Sequence, residues 1–329
     1  MGEGLGVGVI GLGFMGRTHL SAYATAARAG QPNRVVAVSD SNPGVADDQS
    51  LLADLQDVVM YEDAEALIAD SRVDVISICT PTDSHVPLAC AALEAGKHAL
   101  VEKPLALTVA EVEILAQSAA QAGEDGLVCM PAMCMRYWPG WDWLAEEVRT
   151  GGLKNPVSVS FSRRSARPTW GGGFYDDSSR CGGVLFDLHV HDADFILHVF
   201  GPPATVEVGG TDDHTTTTYR WESGLQVSAE ALWSPDPDYS FFMGYAAEFE
   251  GCSVDWSFDR DPRLLVQRGG KAQDVPLSPG DGYEGEVAAF LKAVGDGSTP
   301  PTTVHEAVAL TAMLEAEARS FQTGEPITL

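Results

Sequence analysis

Six titratable side chains crowd into one greasy stretch. "GGVLFDLHVHDADFILHVFG", residues 182 to 201, carries Asp187, His189, His191, Asp192, Asp194 and His198 among Val, Leu, Phe, Ile and Ala. Written as a helix, at about 100° per residue, Asp187, His191, Asp194 and His198 fall at i, i+4, i+7 and i+11 on one narrow arc. A helix that is apolar around almost all of its circumference is a buried helix. Buried carboxylates and imidazoles are costly unless they are paired or put to use. Imidazole, with an ordinary pKa of about 6.5, suits proton transfer near neutrality. His191 is therefore the candidate base, and Asp187, on the same face, the carboxylate that binds a substrate hydroxyl or holds the ring in one tautomer. An ammonium able to stabilise charge developing on oxygen is available at Lys103, in "EKP". Asp194 and His198 read as structural polar pairing. His189 and His191 also raise a metal-dependent lyase or isomerase as an alternative. On a helix, however, they point about 160° apart and cannot share one ion, so no metal is expected.

Such groups need elements to hold them. "VGVI" (7–10) reads as a buried strand, "GLGFMG" (Gly11 to Gly16) as a turn, the Ala-rich run to about Ala29 as a helix, and "RVVAVSD" (34–40) as a second strand ending in an acid. This is the complete context of a dinucleotide fingerprint. Gly11 permits the tight turn, Gly13 lets a pyrophosphate approach the backbone, and Gly16 allows helix to pack on strand. The N–H groups of the helix start favour phosphate. Phe14 and Met15 lie inside the turn, and Ser41 follows Asp40; all three join the candidate cofactor set. Asp40 can accept hydrogen bonds from ribose hydroxyls and repels a 2′-phosphate. NAD is thereby favoured, with NADP the other possibility.

The alternation of short buried strands with helices continues through "VVMY" (58–61), "VDVISIC" (73–79), "KHALVEKP" (97–104) and "GLVCMPAM" (126–133). "TVAEVEILAQSAAQAG" (108–123) opens with Thr108 and Glu111 in a capping box. Strand–helix repetition without hairpins implies a doubly wound parallel sheet, with ligands at the carboxyl ends of the strands. From about residue 124 the pattern changes. "VSVSFSRRSARP" and several later segments alternate in period two between polar turns, which suggests an antiparallel sheet; helical periodicity returns from Gly282.

"GLGFMG", "CTPTDSH", "EAGKHALVEKP" and "GGVLFDLHVHDAD", in this order and spacing, resemble the glucose-fructose oxidoreductase / inositol dehydrogenase / MocA (Gfo/Idh/MocA) family. The resemblance runs from residue 6 to about 325. It implies an α/β chain, with an N-terminal Rossmann domain and a C-terminal α/β domain on a large, mostly antiparallel open sheet. The expected division is 1–124 and 125–329, with the C-terminal helices covering the second sheet or packing back on the first domain. It implies hydride transfer between a nicotinamide cofactor and a sugar, cyclitol or related polyhydroxylated substrate, and a homodimer or homotetramer. It supports Lys103, Asp187 and His191 as catalytic residues. By resemblance Thr80, Pro81 and His85 line the nicotinamide side, with Glu102 and Lys103 beside them. Arg136 matches a position that faces the substrate cleft. Arg163 and Trp170 offer a cation and an aromatic face to a sugar, and Tyr283 is a further substrate candidate. A cofactor-bound sensor without turnover is the alternative class; retention of both Lys103 and His191 favours an enzyme.

Bulk properties agree with this. The chain has 329 residues, 45% hydrophobic and 20% charged, as a globular protein with two cores would. A formal net charge of −27 argues against nucleic acid and anionic membrane partners. The six cysteines form no C-x-x-C pair and read as reduced core residues. With no charged leader and no run of about 18 apolar residues, the expected location is cytoplasmic.

Overall fold

A computed structural model describes residues 4–42, 44–45 and 57–329. The chain divides into two compact units: residues 1–134 with 282–308, and 135–281 with 309–329.

The first unit is built on six parallel strands, β1 (Leu5–Ile10), β2 (Asn33–Ser39), β3 (Val59–Tyr61), β4 (Val75–Ile78), β5 (His98–Val101) and β6 (Cys129–Pro131), in the order β3-β2-β1-β4-β5-β6. Central strands such as β4 (VISI) are buried along their whole length, as strands covered on both faces must be. Helices α1 (Phe14–Arg28), α2 (Ala64–Ile68), α3 (His85–Glu94) and α4 (Val109–Glu124) come after β1, β3, β4 and β5. One apolar core joins Ile76, Ile78 and Val101 of the sheet to Ala89, Val112 and Leu115 of α3 and α4. Strand order reverses between β1 and β4, which is where an open parallel sheet offers a crevice to a ligand.

In the second unit β7 (Pro156–Ala166), β8 (Thr205–Thr211), β9 (His214–Arg220), β10 (Gln226–Ser234), β11 (Phe242–Phe249), β12 (Cys252–Ser257), β13 (Leu264–Arg268), β14 (Lys271–Asp274) and β15 (Ile327–Thr328) form one sheet. Their order is β14-β13-β12-β11-β7-β10-β9-β8-β15. Only β7 and β10 run parallel; the remaining pairs are antiparallel. Helix α5 (Trp141–Thr150) buries Trp141 among Phe161, Tyr245 and Trp256 of the sheet and Phe195, with ring centroids 4.9–6.0 Å away. The short α6 (Ser178–Cys181) leads into a π-helical turn, Leu185–His189, and then α7 (Val190–Phe200). Helices α8 (Gly282–Asp296) and α9 (Val304–Thr323) close the chain.

The first unit runs to Cys134 and includes α8 whole and α9 as far as Val308. One expectation changes. The segment 182–201 is not one α-helix, because its first full turn is π-helical. No helix among the described residues is long and apolar enough to cross a membrane. All six cysteines are free thiols, and Cys129, Cys134 and Cys181 are buried.

Candidate active site

In the first unit the glycine turn does what its spacing demands. Gly11 has a φ of +87°, and a Cβ there would lie 2.5 Å from the Cys79 carbonyl oxygen. At Gly16 a Cβ would come within 1.8 Å of the Gly11 carbonyl oxygen, so α1 rests directly on the turn. Gly13 differs: no atom lies within 4 Å of where its Cβ would be. That open ground sits at the N-terminus of α1, where Gly13 is the cap and makes no side-chain capping bond. Free N–H groups, a positive helix end and an unfilled approach fit a pyrophosphate. Phe14 is exposed beside it, and Met15 is half-buried.

Asp40 follows β2. Its Oδ2 accepts the Leu12 N–H at 2.7 Å and its Oδ1 the Asn42 N–H at 2.8 Å. The carboxylate is thus aimed by the turn itself, half-buried, with Ser41 exposed next to it. The loop after β4 is tied by Ser84, whose hydroxyl is 2.7 Å from Thr80 Oγ1 and donates to the Pro81 carbonyl at 2.8 Å.

Two candidate cofactor contacts turn inward. His85 is 1% exposed; its Nδ1 is 2.8 Å from the Pro104 carbonyl and its Nε2 2.8 Å from the Thr80 carbonyl. Burial holds its pKa below the ordinary value, against the pull of those carbonyls and of Glu102. His85 therefore joins two loops and does not line their surface. Glu102 is equally buried, with Oε1 3.0 Å from His19 Nε2 and Oε2 accepting the Lys103 N–H at 3.1 Å. Burial alone would raise the Glu102 pKa, but the His19 hydrogen bond and the charges of His19, Lys103 and His85 bring it below the ordinary value. His19 was not among the sequence candidates. Its signal was a polar residue on the sheet-facing side of an Ala-rich helix, with Tyr23 four positions on.

In the second unit the polar residues of 182–201 sort by burial. Asp194 is 1% exposed and takes Arg136 in a bidentate pair, 2.9 Å from Nε and 2.7 Å from Nη2. Asp192, fully buried, takes Arg163 in the same way, with its closest contact at 2.8 Å. His189, also fully buried, lies 2.9 Å from Glu317 of α9 and 2.8 Å from the Tyr219 hydroxyl. His198 is exposed near the end of α7. Asp187 and His191 are half-buried, the two polar groups of the segment that combine partial cover with an accessible edge.

Arg163 is thus corrected. Its guanidinium neutralises a buried carboxylate and packs over the Trp141 ring, so it is not presented to a dissolved sugar. Arg136 likewise has its fork filled by Asp194. Trp170 is 57% exposed, in edge contact with Tyr175, on a loop whose next three residues are glycines with positive φ. Tyr283 lies in the first turn of α8, in the first unit. Cys181 is 1% exposed and packs with Phe174, Val184, Leu188 and Trp233, while Gly182 takes the left-handed cap of α6.

Among the described residues, neither His189 nor His191 falls in a metal-type cluster. Among the described residues such atoms converge at His19, Glu102 and Glu286, within 4.8 Å of one another. There His19 Nε2 is already at hydrogen-bonding distance from Glu102.

The model of the oxidoreductase family with an NAD-binding Rossmann fold matches residues 5–128, and that of the GFO/IDH/MocA C-terminal domain matches 141–251. Inositol 2-dehydrogenase 1 of Saccharopolyspora erythraea is 36% identical over 98% of this chain and 95% of its own. An uncharacterised oxidoreductase of Escherichia coli is 29% identical over 63% of this chain, and the match spans 57% of that relative. Levoglucosan dehydrogenase, solved with NADH and levoglucosan, shares the fold with a TM-score of 0.86, 22% identity and 99% coverage of both chains. The chain belongs to the Gfo/Idh/MocA family of oxidoreductases, with an NAD-binding Rossmann domain followed by the family's C-terminal domain.

Proposed function

We propose that the chain is an NAD(P)-dependent dehydrogenase that oxidises a secondary hydroxyl of a cyclic polyol or sugar. The observation that carries this is the sorting of the helical segment. Its deeply buried polar groups are neutralised by Arg136, Arg163 and Glu317, while Asp187 and His191 stay at a partly open edge. Buried charge neutralised in place is scaffold; a titratable group that is only partly covered can meet a substrate.

When bound, the nicotinamide supplies the hydride acceptor. His191 takes the hydroxyl proton, a transfer suited to an imidazole near neutrality. Asp187 accepts a hydrogen bond from a substrate hydroxyl or orients that ring. Lys103 stabilises negative charge growing on the reacting oxygen. Gly11, Gly13, Gly16 and the start of α1 hold the pyrophosphate, and Asp40 the adenosine ribose. The Asp40 carboxylate makes NAD the preferred cofactor, since a 2′-phosphate would meet its charge. Trp170 offers an aromatic face to a sugar ring. The inositol and levoglucosan named for the relatives are both cyclic and polyhydroxylated, which supports this substrate class.

The test is absorbance at 340 nm with NAD+ and with NADP+ against myo-inositol, scyllo-inositol, D-xylose and levoglucosan. Turnover with at least one, faster with NAD+, is expected. His191→Ala and Lys103→Ala should each lower kcat by about 10²–10⁴-fold, the usual contribution of a positioned acid–base group. Tight NADH binding with no turnover of any sugar or cyclitol would replace the enzyme by a sensor. Unchanged kcat in His191→Ala would remove the base.

A further inference from the structure

The first unit contains a buried chain of hydrogen bonds that ends at the backbone of Lys103. It starts at Tyr23 on α1, whose hydroxyl is 2.9 Å from Ser77 Oγ on β4. Ser77 Oγ is 3.1 Å from Nδ1 of His19, one turn back on α1. Nε2 of His19 is 3.0 Å from Glu102 Oε1, and the other oxygen of Glu102 accepts the Lys103 amide at 3.1 Å. Tyr23, Ser77 and His19 are fully buried and Glu102 is 5% exposed.

One assignment of protons satisfies every link. Tyr23 donates to Ser77, Ser77 donates to Nδ1, and Nε2–H donates to an ionised Glu102, which accepts the Lys103 N–H. No donor faces a donor along these links, and the buried Glu286 carboxylate, 3.7 Å from His19 Nε2, offers the same N–H a second acceptor. His85 holds the next residue from the other side, through the Pro104 carbonyl. Imidazoles from two different helices thus lie on either side of the lysine, His19 through Glu102 and His85 beside the Pro104 carbonyl. A long, flexible ammonium stem needs such an anchor, because a misplacement of about 1 Å at a reacting atom can cost about 10²-fold in rate.

We infer that His19 is a positioning residue for Lys103, acting through the Glu102 carboxylate on the Lys103 amide. The inference rests on the reading of Lys103 as the group that stabilises the reacting oxygen. It adds α1, the helix of the glycine turn, as the element that sets where the lysine starts.

Two measurements on the full chain test it, and the first needs no substrate. Hydrogen exchange resolved to single amides is compared in wild type, His19→Ala, His19→Gln and Glu102→Gln. The Lys103 amide should exchange at least 10-fold faster in His19→Ala and Glu102→Gln, with Ala99, Leu100 and Val101 of β5 within twofold of wild type. His19→Gln, whose amide can still donate to Glu102, should recover part of the protection. An unchanged Lys103 amide, or equal acceleration along all of β5, overturns the link. Should His19→Ala fail to fold, His19→Gln and Glu102→Gln decide it alone.

The second measurement is a cycle on a sugar or cyclitol that turns over. His19→Ala should lower kcat 10- to 100-fold, with KM for NAD+ within threefold. In a Lys103→Ala background the same change should cost less than twofold, since the groups act as one unit. Full additivity would make His19 a structural residue only and sink the inference. Unchanged kcat in Lys103→Ala would sink the underlying reading of the lysine instead, and with it the positioning role, whatever the exchange result.

Discussion

The two units bury charge by different means. The first uses partners that titrate: an imidazole against a carboxylate, His19 with Glu102, and a second imidazole, His85, between two carbonyls. The second has one such pair, His189 with Glu317, and beside it partners that do not titrate. Arg136 and Arg163 fork onto Asp194 and Asp192, and a guanidinium keeps its proton at any pH a protein meets. The difference teaches where each unit can yield. On the segment that carries Asp187 and His191, the buried carboxylates of Asp192 and Asp194 are held by ion pairs that do not titrate. The turn that carries Lys103 is held by groups whose hydrogen bonding depends on their protonation.

The largest effect should come from breaking a permanent pair. Asp192→Asn leaves the Arg163 guanidinium buried against a neutral amide. One-sided removal from such a pair costs about 3–5 kcal/mol. Glu102→Gln keeps a hydrogen-bonding oxygen opposite an imidazole and should cost about 1–3 kcal/mol. Urea unfolding of the two variants gives the contrast directly. Equal losses would erase the distinction between the units. The double variant Arg163→Met/Asp192→Leu should recover much of the Asp192→Asn loss, because burying neither charge is close to neutral.

Acid and alkali should then act on different units. Burial lowers the His85 pKa, so below about pH 6.5 the unfolded chain takes up the proton first and stability falls. Glu102, whose pKa lies below the ordinary value against the effect of burial, contributes stability above the unfolded value of about 4.3, lost on further acidification. His189 runs the other way. Burial would lower its pKa, but the charge and hydrogen bond of Glu317, with Asp192 nearby, outweigh burial and the opposing Arg163, and raise it. Its stabilisation is complete below about pH 6.5 and is lost as pH rises through the higher folded value. Melting temperature against pH should therefore show a shallower acid limb in His85→Gln and a shallower alkaline limb in His189→Gln. A change in the opposite limb for either variant would break the assignment of pH response to units.

How much of this was legible depends on the range of the interactions. The Rossmann sheet was readable because strand, glycine turn, helix and acid follow one another within 40 residues, and each obeys local geometry. The antiparallel character of the second sheet was readable from period two. Arg163 carried a local signal of the same kind: it shares strand parity with Val159 and Phe161, both buried, so its burial was written in the alternation. What contradicted a substrate role was a partner 29 positions away, Asp192. Asp194 could not be told from Asp187 by spacing, because Arg136, which claims it, lies 58 positions upstream. Glu102 was expected at the cofactor, since a strand end marks that edge. Its inward turn depends on His19, 83 positions earlier. The return of α8 to the first unit is a matter of topology, to which no local pattern speaks.

The smallest effect calibrates the comparison. Thr108 caps α4: its hydroxyl oxygen accepts the Glu111 N–H at 3.3 Å and its proton goes to the Glu111 carboxylate at 2.6 Å. Thr108→Ala removes both bonds from the start of a 16-residue helix. Loss of such a cap costs about 1 kcal/mol. A hydroxyl does not titrate, so this loss should be the same at pH 5.5, 7 and 8.5 by urea unfolding. It occurs in the same unit as His85, which makes it the right control. A helix weakened by a similar amount, with no proton involved, should shift the whole stability curve without tilting it. If Thr108→Ala also flattened the acid limb, the slope assigned to His85 would reflect general loosening of the first unit, and the contrast between titrating and permanent partners would lose its support.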